Sequence, residues 1–219
     1  MSTLSEQLAA YLAGWRERVP PERQAIMERH IAHLHESGFV ASAKGVGDRA
    51  PAIVLRDQNG AVVDVATMLA RGPVVVTFYR GGWCPYCNLE LKAYQDQLPR
   101  IRAAGAELVA ISPEKPDDTL GTAQKNALTY PVLSDVGQMV GRAFGVVYAF
   151  TGELRWAYGG FGLDIPAKNG SDEWALPMSA TYVIGRDGVI LFADPGADYR
   201  RRTDPLDVLA VLERRQAAE

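Results

Sequence analysis

Residues 73–79 read Pro-Val-Val-Val-Thr-Phe-Tyr, and soon after them stand the chain's only two cysteines, Cys84 and Cys87, with Pro85 between them. An unbroken apolar run of this length is what a strand buried on both faces of a sheet requires. Pro85 suits the first turn of a helix, where its missing N–H has no intrahelical use. The segment FYRGGWCPYC therefore predicts a strand that ends in a short loop and feeds a helix over 85–104, with both thiols at the helix start.

That position carries chemistry. A thiolate at a helix N-terminus faces unsatisfied backbone N–H groups and the positive end of the helix dipole, which lowers its pKa and makes Cys84 the nucleophile. The i, i+3 spacing puts Cys87 on the same face, close enough to close a disulfide. Arg80 is the expected extra cation beside the thiolate, and Trp83 the expected shield on one side. Two bland readings compete: small buried hydrophobes, or half of a zinc site. Zinc would need further ligands, and the three histidines, His30, His33 and His35, all lie on one N-terminal helix, where a solvated surface role is expected. No histidine is left to act as general base in a cysteine protease.

The rest of the chain reads as alternating elements. Two helices are expected over residues 3–37, split by Pro20 and Pro21, with Leu4, Leu8, Tyr11, Leu12 and Trp15 as an apolar stripe. A small, Gly-bearing stretch at 42–47 marks a boundary, giving an N-terminal helical extension at 1–46 and a main domain at 47–219. Beyond it come a hairpin around Asp57–Gly60, a second buried strand at 107–112, helices at 117–128 and 138–144, a hairpin turning at Asp187-Gly188, and a closing amphipathic helix at 205–216. This order predicts an α/β protein with a central mixed sheet and helices on both faces. Residues 149–177, rich in glycine with Trp156, Tyr158, Phe161 and Trp174, read as a long ordered loop with aromatic anchors.

Composition narrows the class. With 47% hydrophobic and 22% charged residues the chain is neither disordered nor collagen-like. A formal charge of -3 gives no nucleic-acid footprint and no polybasic membrane anchor. The first residues lack a basic start followed by an apolar core, so a cytoplasmic location is expected. No cofactor and no metal are expected. The apolar stripe of the first helix suits either its own domain or a second copy, so a homodimer is a possible assembly.

FYRGGWCPYC resembles the active-site segment of thioredoxin-fold proteins. The flanking motifs resemble the peroxiredoxin branch, the alkyl hydroperoxide reductase and thiol-specific antioxidant family: Gly47-Asp48-Arg49-Ala50-Pro51 with Ile53, Leu55, Asp57 and Gly60 upstream, then Ser134-Asp135, Phe144-Gly145-Val146, Thr181 to Ile184 and Asp187-Gly188 downstream. The resemblance covers Gly47 onward and implies a thioredoxin-like fold. The sequence departs from the family at the site. Gly81 stands three residues before Cys84, where the family carries Thr or Ser, and Thr77 stands where it carries Pro. Ser179 occupies the slot of the family's arginine and is the candidate to contribute a hydroxyl.

The resemblance implies a thiol peroxidase. Cys84 would reduce hydrogen peroxide or an organic hydroperoxide, Cys87 would resolve the sulfenic acid, and a thioredoxin or similar dithiol donor would regenerate the pair. The alternative is a thioredoxin-like protein thiol–disulfide oxidoreductase; the Pro85-Tyr86 dipeptide between the cysteines also occurs in glutaredoxins. A redox sensor whose disulfide state alters a partner surface is the third, non-enzymatic reading.

Overall fold

The structure, a computed structural model, describes residues 2–217. Two helices come first. α1 (Leu4–Arg18) is capped by Thr3, whose hydroxyl accepts from the Glu6 N–H while Glu6 accepts from the Thr3 N–H. α2 (Pro21–Glu36) opens with Pro21 at a position where no N–H is needed. The apolar stripe of α1 is taken up by its own chain: Leu4 and Leu8 are buried, and Tyr11, Leu12 and Trp15 pack on the core.

After α2 come the hairpin β1 (Val54–Asp57) and β2 (Val62–Asp64), followed by α3 (Val65–Leu69) and β3 (Val74–Phe78). α4 (Pro85–Ala103), β4 (Glu107–Ser112), α5 (Pro116–Lys125), β5 (Val132–Ser134) and α6 (Met139–Ala143) follow. Then come β6 (Val147–Ala149), α7 (Gly152–Gly159), α8 (Ile165–Asn169), β7 (Ala175–Pro177), β8 (Ser179–Ile184), β9 (Ile190–Gly196) and α9 (Pro205–Gln216).

The main sheet has seven strands in the order β2-β1-β5-β4-β3-β8-β9, and β6 pairs with β7 in a separate ribbon. β3, β4 and β5 run parallel; β8 lies antiparallel to β3, with Phe78 between Ile111 and Ala180 in register. Every residue of β3 and of β8 is buried; the near-continuous apolar run of β3 demands this, while β8 also buries Ser179 and Thr181. Thr77, the family's proline position, sits in the middle of this sheet and accepts from the Thr181 hydroxyl at 3.2 Å. α4 covers one face with Leu91, Tyr94, Leu98 and Ile101, spaced three or four apart.

The long loop expected over 149–177 is instead built of β6's last residue, α7, α8 and β7. Side-chain caps make these short helices possible: the Thr151 hydroxyl accepts from the Leu154 N–H and Asp164 accepts from the Ala167 N–H. The aromatic residues bury the result, with Phe150 edge-on to Tyr158 at 4.7 Å between ring centres.

His30 also departs from expectation. It is buried against the Tyr148 ring at 4.7 Å, while His33 and His35 are exposed. Burial, then the positive charges of Arg80 and His33, lower its pKa to about 4, so it is a neutral core residue at physiological pH.

Candidate active site

β3 ends at Phe78, Tyr79 continues the pairing through its N–H to the Ile111 carbonyl at 2.9 Å, and the chain then turns through Arg80, Gly81, Gly82 and Trp83 into α4. Cys84 is the N-cap residue and Pro85 the first residue of α4, as the sequence predicts. The turn is pinned at several points. The Gly82 N–H donates to the Glu114 carboxylate at 2.7 Å, Asn88 donates to the Gly82 carbonyl at 2.8 Å, and the Cys84 N–H donates to the Gly81 carbonyl at 3.0 Å.

Gly81 is required by torsion as well as by space, and Gly82 by space. Gly81 has φ of 147°, and a Cβ there would lie 2.3 Å from Trp83 Nε1 and 2.9 Å from the Glu114 carboxyl carbon. A Cβ at Gly82 would lie 2.0 Å from the Thr122 hydroxyl. The position where the family places a hydroxyl side chain is thus filled by the indole of Trp83.

Both sulfurs are buried. Arg80 Nη1 lies 4.0 Å from Cys84 Sγ. A second guanidinium, from Arg202 in the loop after β9, reaches Cys84 Sγ at 3.8 Å and Cys87 Sγ at 3.3 Å through the same Nη2. Arg202 Nη1 donates to Glu90 at 2.9 Å and its Nε to the Tyr199 carbonyl at 2.9 Å, so the group is held from three directions. Burial by itself would raise the Cys84 pKa. The hydrogen bond from the Cys87 thiol, the charges of Arg80 and Arg202, and the Cys87 backbone N–H overturn that and hold Cys84 at about 5. Cys87 goes the other way: burial and the hydrogen bond to Cys84 push its pKa well up. The pair therefore carries one negative charge, on Cys84, and one proton, on Cys87.

Around them the charges are unusual for an interior. Arg202 and Glu90 are fully buried, and burial lifts Glu90 to about 7 despite the arginine beside it. Arg80 lies over Tyr199 at 4.2 Å, Trp83 at 5.2 Å and Tyr158 at 5.5 Å from the ring centres. Its Nε has no hydrogen-bond partner among the described residues.

The structure brings Arg80, Trp83, Cys84, Pro85 and Tyr86 to one cavity, with Cys87 buried one turn along α4. Tyr86 packs edge-on to Tyr11 at 5.0 Å and Tyr199 at 5.6 Å. Ser179 stands elsewhere. It opens β8 and borders a small void of about 10 Å³ with Glu90 and Arg202, and its hydroxyl has no partner among the described residues. The sequence reading missed Arg202 and Glu90. Glu90 carried a signal, since it falls on the α4 face that also presents Cys87, Leu91 and Tyr94 to the core. Arg202 lay in a run of three arginines with nothing to single it out. Among the described residues, no group of three or more His, Cys, Asp or Glu side chains is arranged to hold a metal ion, and no helix is long and apolar enough to cross a membrane.

The chloroplastic peroxiredoxin Q of Suaeda salsa is 31% identical to this chain over 144 residues, and that of Gentiana triflora 34% over 144. Each match takes in 66% of this chain and 56% of the relative, so the chain spans little more than half of their length. Among solved structures, the peroxidoxin BcpB of Mycobacterium tuberculosis superposes with a TM-score of 0.61 at 24% identity, covering 78% of this chain and 97% of that one. Its likeness supports a thioredoxin-like peroxiredoxin fold. The cytoplasmic location expected from the first residues is contradicted by the plant relatives, whose names point to a plastid. The sequence model of the AhpC/TSA family matches residues 46–193, two thirds of the chain and all of the strand–turn–helix that carries Cys84 and Cys87, and the chain belongs to that family.

Proposed function

We propose that the chain is a thiol-dependent peroxidase in which Cys84 is the nucleophile and Cys87 the resolving thiol. The observation that carries the reading is the charge arrangement: two guanidiniums within 4.0 Å of a buried sulfur whose neighbouring thiol hydrogen-bonds to it. The Cys84 thiolate attacks the terminal oxygen of a hydroperoxide. An S–O bond forms, the O–O bond breaks, and the leaving oxygen takes a proton to depart as an alcohol or as water. Arg80 and Arg202 stabilise the charge as it passes from sulfur to the leaving oxygen, the role that positioned cations fill in such sites. Arg80 lines the cavity beside Cys84, which places its guanidinium near that oxygen. The Cys87 sulfur then attacks the sulfenic acid, its proton leaves with the hydroxyl as water, and a Cys84–Cys87 disulfide remains. A thioredoxin-type dithiol returns the pair to the reduced state by exchange, which requires local opening at the start of α4.

The exchange-enzyme reading uses the same two thiols. Cys84 is 2% exposed in the reduced protein, which suits a small peroxide better than a protein disulfide. Stopped-flow mixing of reduced protein with peroxide tests the proposal. Wild type is expected to consume peroxide faster than free cysteine thiolate does, Cys84→Ser to lose this by on the order of 10³-fold or more, and Cys87→Ser to turn over once and leave a sulfenic acid that dimedone traps. Reduction of insulin disulfides without peroxide consumption would overturn the proposal in favour of exchange.

A further inference from the structure

Cys84 opens onto a cavity of about 310 Å³. Arg80 and Pro85 line it beside Cys84, and so do Tyr158, Phe161 and Leu163. The N-terminal helices add Tyr11 and Trp15 of α1 and Met27 of α2 to its walls, all three preceding residue 46, where the family match begins. This wall is anchored. Tyr11 packs on Tyr86, Arg29 of α2 pairs with Glu153 of α7 at 3.1 Å, and Arg200 pairs with Glu28 of α2 from the loop that also carries Arg202.

Size and lining together discriminate between substrates. A water takes about 30 Å³ in the liquid, so a peroxide of two oxygens leaves most of this space unfilled and touches little of its aromatic surface. A mainly apolar cavity near 300 Å³ is of the size that encloses a small organic ligand. We infer that the N-terminal helices form a specificity wall of the active site, selecting hydroperoxides with a bulky apolar or aryl group over hydrogen peroxide through Tyr11, Trp15 and Met27. This rests on the thiol-peroxidase reading and adds no step to it: the terminal oxygen still goes to Cys84 sulfur. The organic group stays on the leaving oxygen, against Trp15 and Tyr11, and departs as the alcohol.

The test compares kcat/KM for cumene hydroperoxide and for hydrogen peroxide in wild type, Trp15→Ala and the cavity-filling Leu163→Trp, with near-ultraviolet circular dichroism to establish folding. Wild type is expected to prefer cumene hydroperoxide. Each variant is expected to lose about tenfold on that substrate, the usual worth of apolar contact in a pocket, and to change less than about twofold on hydrogen peroxide. Equal losses on both substrates, or none on either, overturn the inference; if Trp15→Ala does not fold, Leu163→Trp decides. Binding of cumyl alcohol, followed by tryptophan fluorescence, separates the two readings. Wild type that binds cumyl alcohol more tightly than Leu163→Trp yet consumes neither peroxide supports the wall and overturns the peroxidase. Consumption of peroxide with no selective effect of either variant does the reverse.

Discussion

Cys84 has two unlike sides. On one, Cys87, Arg202 and Glu90 form a fully buried chain of hydrogen bonds in which each charge answers another. On the other, Arg80 lies among the rings of Trp83, Tyr158 and Tyr199 with no ion pair to a carboxylate among the described residues, and the space beside it opens into the cavity. Both sides lower the thiol pKa, but they differ in what they leave free. The ionic side uses its donors internally and is rigid, since a buried pair is costly to break. The aromatic side holds its cation by ring quadrupoles and leaves the Arg80 Nε–H without a hydrogen-bond partner among the described residues.

Replacing one guanidinium at a time tests this contrast most severely. Arg202→Met strands Glu90 without its partner in the interior and is expected to lower unfolding free energy by about 3–5 kcal/mol, measured by chemical denaturation. Arg202→Met with Glu90→Leu should recover most of that loss while the Cys84 pKa, read from thiolate absorbance near 240 nm, stays raised. Recovery of both would show that the ionic side does not set the thiolate. Arg80→Met should leave the unfolding midpoint nearly unchanged. Its pH–rate profile, which in wild type falls as pH drops through about 5, should move its acid limb upward by about one unit or more, with a rate loss on the order of 10²-fold at neutral pH. The smallest effect belongs to His30, behind the aromatic side. Its folded pKa, about 4, lies below its unfolded value of about 6.5, so the neutral form stabilises the fold fully above 6.5 and that contribution is lost as pH falls from 6.5 towards 4. Thermal melts across this range should show wild type losing roughly 2–3 kcal/mol relative to His30→Phe. A constant difference would mean that His30 titrates in the folded protein as it does unfolded.

The parts of the site that local geometry builds were legible. Arg80, Trp83, Cys84 and Cys87 fall within eight consecutive residues, and a buried strand running into a helix with proline at its start leaves them few arrangements. Arg202 is 118 residues from Cys84, and only the path of the chain after β9 brings it there. A three-arginine run in a loop reads equally well as a solvated surface. Helices such as α8, with five residues, and strands such as β5 and β7, with three, are too short for a period to declare itself. They exist because caps and tertiary packing support them. His30 misled for a related reason: the Glu and Arg around it advertise an exposed face, while Met27, Ile31 and Leu34 on its own face are buried.

The Gly81–Trp83 contact bears on descent. A side chain at 81 and an indole at 83 claim the same volume, so the two positions are epistatic. A lineage passing between a hydroxyl-bearing loop and this one must exchange both residues, and the intermediate with both side chains is overpacked while the one with neither leaves a hole beside Glu114. A survey of relatives is therefore expected to find a bulky side chain at 81 and an indole at 83 mutually exclusive, and frequent co-occurrence would overturn the steric argument.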